Sequence, residues 1–299
     1  MDREVTGFTD GFVEVDGGQL AVAVRPAEPG APVVLAVHGI TASSRSFVAL
    51  ARALPELRFV APDLRGRARS NRLPPPYGLQ QHAADLRRVL DSIGADRVTL
   101  MGHSMGGFVA TLLAAVEPER VGSVVLVDGG MPLVAPPGLD VTDASRMLGP
   151  VFARLARVFP SHEAYRDFWR AAPAFARPGD WTEDVETYVD YDLEPVDGGF
   201  RASANPESVT ADQGQQYGAP FHLEALGALQ QPVTLLRAPR GLQDDPPGLY
   251  APERVSVFAE LVPQLDVVEV PDVNHYTVLM TSPGVETVAA VVRAATKES

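Results

Sequence analysis

Apolar residues along this chain fall into short unbroken runs separated by longer amphipathic stretches. Residues 33–37 (VVLAV), 97–101 (RVTLM) and 121–127 (VGSVVLV) are rich in β-branched side chains and bounded by Gly, Pro, Asp or His. Residues 57–61, 233–236 and 265–270 fit the same class. Continuous apolar runs of this length suit strands buried on both faces, as in a parallel sheet with helices on either side. Between them lie helical patterns at 46–54, 80–93, 106–116 and 285–294. The second of these places Ala83, Leu86, Val89, Leu90 and Ile93 on one face. Strand and helix alternate, which predicts a mostly parallel, doubly wound α/β sheet. Residues 12–15 and 20–24 flank Asp16-Gly17-Gly18 and read as an antiparallel hairpin.

The alternation stops near Met131 and resumes near Pro232. The intervening stretch holds both tryptophans, Trp169 and Trp181, with helical patterns at 151–159 and 162–170 and no convincing strand. We therefore expect an α/β core from residues 1–132 and 230–299, with 133–229 inserted as a helical cap over the C-terminal edge of the sheet. Ligands of open α/β sheets bind at that edge.

Composition narrows the chemistry. With 299 residues and a net charge of -13, the chain lacks the clustered Lys and Arg that nucleic acid or an anionic membrane surface would require. No apolar run reaches the roughly 18–20 residues of a membrane span. Residues 1–5 (MDREV) are charged and lead into no apolar segment, so no secretory signal is expected; with no cysteine, the chain suits the cytoplasm. The absence of cysteine also removes disulfides and thiolate chemistry. His82, His162 and His222 are dispersed rather than paired at metal-ligand spacing, so no metal is expected, and no dinucleotide loop suggests a cofactor.

The sharpest signal is Gly102-His103-Ser104-Met105-Gly106, placed after one expected strand and opening an expected helix. A G-x-S-x-G turn in that context lifts a serine hydroxyl above the sheet. The hydroxyl is a poor nucleophile until a base takes its proton. Of the six histidines, His275 lies in a loop between the last expected strand and the last helix, at the edge where Ser104 must be. Two backbone N–H groups should face the oxyanion of an attacked carbonyl. We assign these to Met105, next to the nucleophile, and to Ile40, in the loop after residue 37.

The segments VVLAVHGITAS, FVAPDLRGRARS, VTLMGHSMGG and PDVNHYT together resemble the α/β-hydrolase superfamily, in its cap-bearing branch of serine esterases, lactonases and carbon–carbon hydrolases. The likeness covers residues 33–128 and 232–295 and implies the α/β-hydrolase fold, with the triad in the order serine, acid, histidine. The turn Asp63-Leu64-Arg65-Gly66 is similar to the family's D-x-R-G-x-G-x-S, with Ala68 in place of the second glycine. For the acid the resemblance implies two places. One is Asp128, at the end of the strand after the nucleophile helix; the other is the loop after the next strand, where Asp244 stands. Asp128 is preferred, because a strand end fixes a carboxylate better than a Pro- and Gly-rich loop.

A serine at the elbow excludes, by resemblance, the branches that use an aspartate nucleophile. The expected activity is cleavage of a carboxylic ester or lactone of a small to medium apolar molecule through an acyl-enzyme. Alternatives are a carbon–carbon bond hydrolase, a cofactor-free haloperoxidase-like member, or a receptor on the same fold that binds without turnover. Phe168, Trp169, Trp181 and Tyr188 are candidates for an aromatic pocket.

Overall fold

The computed structural model describes residues 7–297; the charged segment 1–5 lies outside them. Eight strands form one sheet. In chain order they are β1 (Thr9–Val15), β2 (Gly18–Arg25), β3 (Val33–Val37), β4 (Arg58–Pro62), β5 (Val98–His103) and β6 (Val121–Val127). A separate pair follows, β7 (Leu193–Val196) and β8 (Gly199–Ala202), before β9 (Val233–Arg237) and β10 (Leu265–Glu269) complete the main sheet. Its spatial order is β1-β2-β4-β3-β5-β6-β9-β10. Only β2 runs against its neighbours β1 and β4, while β4, β3, β5, β6, β9 and β10 are parallel.

Every residue of β3, β5 and β6 is buried, as expected of strands covered on both faces. Leu79–Ile93, Met105–Val116 and Pro220–Ala228 pack together as one helical layer, and Val48–Ala53 with Gly284–Ala295 form another. A helix Val255–Leu261, absent from the sequence reading, connects β9 to β10.

The chain between β6 and β9 is mainly helical, with Ala144–Leu148, Pro150–Ala153, His162–Arg170, Glu183–Tyr191 and Pro206–Gln213. Two expectations fail here. The helix expected at 151–159 is cut short at Ala153 and gives way to a 3-10 turn at Arg154–Ala156. Phe159 precedes a proline, which disfavours helix, and it pairs with Phe200 instead. The expectation of no strand is also overturned: β7 and β8 form an antiparallel hairpin, isolated from the main sheet. The last helix of the stretch, Pro220–Ala228, packs on Met105–Val116.

Candidate active site

Ser104 is the single residue between the end of β5 and the helix Met105–Val116, with φ 54° and ψ -126°. A non-glycine residue held there costs on the order of 1–3 kcal/mol, so the surroundings must enforce it. They do so by close approach of backbone. A Cβ on Gly102 would overlap the Gly106 carbonyl, one on Gly106 the Val37 carbonyl, and one on Gly129 the Ser104 carbonyl. The turn is tied down by Ser104 N–H donating to Val127 O at 3.0 Å and Gly107 N–H to Ser104 O at 2.9 Å. The result is a half-buried serine flanked by buried residues at the C-terminal edge of the sheet.

His275 follows β10. Its Nδ1 lies 2.7 Å from Asp128 Oδ2, and both side chains are buried. Asp128 directly follows β6 and accepts the Ala238 amide at 3.1 Å on its other oxygen. Asp244 stands elsewhere: it accepts Arg240 at 2.6 Å, Arg177 at 2.8 Å and Asn274 Nδ2 at 3.0 Å. Asn274 in turn shapes the histidine loop, with Oδ1 accepting the amides of Tyr276 and Thr277 and Nδ2 donating to Ala174 O. Asp244 thus supports the loop that carries His275 without touching the imidazole. His103, from the elbow itself, donates Nε2–H to His275 O at 2.9 Å; burial holds its pKa well below the usual histidine range.

The loop after β3 is fixed by the ring of its own His38 and by Arg67 from the turn after β4. His38 Nε2 accepts the Leu64 amide at 2.9 Å, so the ring proton sits on Nδ1, which donates to Gly39 O at 2.8 Å. Burial lowers the His38 pKa to about 3, so the ring stays neutral at ordinary pH. Ala42 N–H donates to the same carbonyl at 3.1 Å. In a trans peptide the N–H points opposite to the C=O, so these bonds also fix the direction of the Ile40 N–H. Arg67 Nε donates to Ile40 O at 2.9 Å, and its Nη2 is 2.6 Å from Asp212, which also meets His82 at 3.0 Å. The Met105 N–H is one of the first amides of its helix, which have no intrahelical partner.

Ser104, His275, Ile40 and Gly129 line one cavity of about 120 Å³. The stretch between β6 and β9 closes it with Leu133, Met147, Val151, Tyr188, Gln213 and Tyr217 among others, and no charged side chain lines it. Of the four aromatics singled out in the sequence, Tyr188 reaches this cavity, while Phe168 and Trp169 line a neighbouring one. Trp181 instead packs against Phe175 and Arg170. Sequence reading did not find Arg67, Asn274 or the Ala238 amide, because their roles depend on partners far away along the chain. Among the described residues no group of three His, Asp or Glu could hold a metal ion, and no helix is long and apolar enough to cross a membrane.

A family model for the alpha/beta hydrolase fold matches residues 32–177. The chain is 38% identical over 117 residues to Lipase LipV of Mycobacterium tuberculosis, a match spanning 39% of this chain and 44% of that protein. A longer match, 28% identical over 92% of this chain and 93% of the relative, is to the 2-(acetamidomethylene)succinate hydrolase of Mesorhizobium japonicum. Among solved structures, a thioesterase domain from the curacin biosynthetic pathway superposes with a TM-score of 0.76 at 25% identity, covering 96% of this chain and 99% of that one. With the strand order and the serine elbow, these likenesses show the α/β-hydrolase fold.

Proposed function

We propose that the protein hydrolyses carboxylic esters, lactones included, with Ser104 as nucleophile, His275 as base and Asp128 as the acid that orients it. The observation that carries this reading is the 2.7 Å contact of His275 Nδ1 with Asp128, beside a serine in a strained turn on the same cavity. The imidazole proton on Nδ1 is held by the carboxylate, which leaves Nε2 free to accept the Ser104 hydroxyl proton as Oγ attacks the ester carbonyl. The carbonyl oxygen gains the charge and takes the N–H groups of Ile40 and Met105; one such donor is worth about 10²–10³-fold in rate. The imidazolium then protonates the departing alkoxide, leaving an acyl group on Ser104. Water, deprotonated by the same Nε2, attacks the acyl carbonyl and releases the acid and the serine.

The uncharged cavity favours a neutral acyl or alcohol group next to the reacting carbon. Residues 133–229 act as the cap in this reading, since their side chains close the cavity over Ser104 and shield it from bulk water. Incubation with a fluorophosphonate should label Ser104, located by peptide mass spectrometry. Ser104→Ala should fold with an unchanged melting temperature and lose ester hydrolysis by on the order of 10³-fold or more. An alanine variant as active as the wild type would remove the nucleophile and the reading with it.

A further inference from the structure

Three polar side chains on the wall of the Ser104 cavity come from one short segment. Gln213 ends the helix Pro206–Gln213, Gln216 ends the 3-10 turn Gly214–Gln216, and Tyr217 follows it. The segment is held from outside the cavity. Asp212 lies 2.6 Å from Arg67 and 3.0 Å from His82, and the Gln216 backbone carbonyl accepts the Leu133 amide at 3.0 Å. Gln215 spends its side-chain carbonyl on the Leu79 amide at 2.8 Å. The two flanking glutamines have no such structural use. Gln213 Nε2 donates to the Tyr217 hydroxyl at 3.2 Å. That leaves Gln213 Oε1 without a donor, and the Tyr217 O–H without an acceptor, among the described residues. The Gln216 side-chain amide makes no hydrogen bond among them. Gln213 and Gln216 are only 2% and 4% exposed, yet their free amide atoms are not among the unpartnered polar atoms sealed from open space. The space they meet is the cavity they line.

Glutamine is seldom buried, because an amide removed from water without a partner is costly. Water can serve these groups while the cavity is open. A ligand that fills the cavity displaces that water and must replace its hydrogen bonds or lose affinity. The set offers donors in Gln216 Nε2 and Tyr217 O–H, acceptors in Gln213 Oε1 and Gln216 Oε1, and no charge. A trans secondary amide carries its N–H and C=O on opposite sides, so it needs separate partners for the two. A carboxylate or an ammonium group would find no counter-ion here. We infer that Gln213, Gln216 and Tyr217 form a subsite for a neutral secondary amide on the substrate, so that the preferred esters carry an acylamino group within the cavity that holds the reacting carbonyl. This deepens the ester-hydrolase reading and rests on it for turnover, but not for binding.

The test separates the two. Phenyl esters of N-acetylglycine and N-acetyl-β-alanine are compared with phenyl isocaproate and isoheptanoate, which have the same shape without the amide. The wild type, Gln216→Leu and Tyr217→Phe are assayed; the intrinsic reactivity of each ester cancels between variants. The ratio of kcat/KM for the better amide ester over its apolar partner should fall at least about tenfold in Gln216→Leu, mostly through KM, and about threefold in Tyr217→Phe. The apolar ester itself should gain in Gln216→Leu, because it no longer strands an amide. Independently, N-acetylglycine anilide is titrated calorimetrically into Ser104→Ala. Adding Gln216→Leu to that background should weaken its binding at least about tenfold while isocaproanilide is not weakened. Anilide binding that depends on Gln216, in a protein that turns over no ester, would leave the subsite standing and the reaction refuted. Ester turnover with an unchanged ratio in both variants, or equal loss on amide and apolar esters, would overturn the subsite and leave the nucleophile in place.

Discussion

Asp128 spends one carboxylate oxygen on the His275 ring and the other on the Ala238 amide. Asparagine has the same shape but only one acceptor for these two donors. Either the Ala238 amide is left without a partner, or the new NH₂ faces the imidazole and drives its proton to Nε2, where it can no longer accept from serine. Asp128→Asn should therefore lower kcat by about 10²–10⁴-fold with little change in fold. Asp244→Asn disturbs a neighbour of Asn274 rather than the imidazole, and the loss should stay below about tenfold. Steady-state kinetics on the two variants decide this; the reverse ranking would make Asp128 structural. The serine, the histidine and the loop at Ile40 were legible in the sequence, because each sits in a local motif. Between the two aspartates the sequence favoured Asp128 only through its strand-end position, because how far the loop after β9 folds back depends on contacts distant along the chain. Ala68 shows what a motif departure does locally: it sits where the resemblance implies glycine, and it keeps the positive φ of 41° that a glycine there would adopt freely.

Elements were legible where their period was long and unbroken, and lost where tertiary pairing decided. The N-terminal hairpin was read from Asp16-Gly17-Gly18, and Asp197-Gly198-Gly199 makes the same turn in the inserted stretch. The glycines have φ of 86° and 151° in the first, and 85° and 148° in the second. The second hairpin escaped notice because its strands are four residues each, one of them carrying Pro195, and their partner Phe159 is distant in sequence. Phe159 and Phe200 exchange both backbone hydrogen bonds, at 2.7 and 2.8 Å. That anchoring separates the two glycines. A Cβ on Gly198 meets nothing, so Gly198→Ala pays only the left-handed backbone, about 1–2 kcal/mol. A Cβ on Gly199 overlaps the Phe159 carbonyl, so Gly199→Ala must also break that pairing. Urea unfolding should show the larger loss at Gly199; equal losses would mean that the Phe159 strand does not hold the hairpin.

At the scale of the whole molecule, several histidines are buried in their neutral form, and this sets the response to pH. Burial lowers the pKa of His38 to about 3 and of His222 to about 4, and that of His103 well below its ordinary value. Each pKa is lower in the folded than in the unfolded chain, so the unfolded state binds the extra proton first. Stability is then fully present above the unfolded value of about 6.5 and is lost as pH falls toward the folded values, by about 1.4 kcal/mol per pH unit for each such histidine. Two effects oppose this. Acidification reduces the repulsion within a chain of net charge -13, but that term is spread over the surface and screened by salt. Burial also raises the pKa of Asp63, Asp180, Asp184 and Asp192, which favours the folded state as these carboxylates take up protons. Between pH 7.5 and 5.5 the histidines should dominate. The urea midpoint should therefore fall across that range at constant m-value, and His222→Leu, which removes one neutral ring packed against Phe108, should make the fall shallower. A midpoint that does not change with pH in the wild type, or a slope unaltered in the variant, would show that these rings do not set the acid limit of the fold.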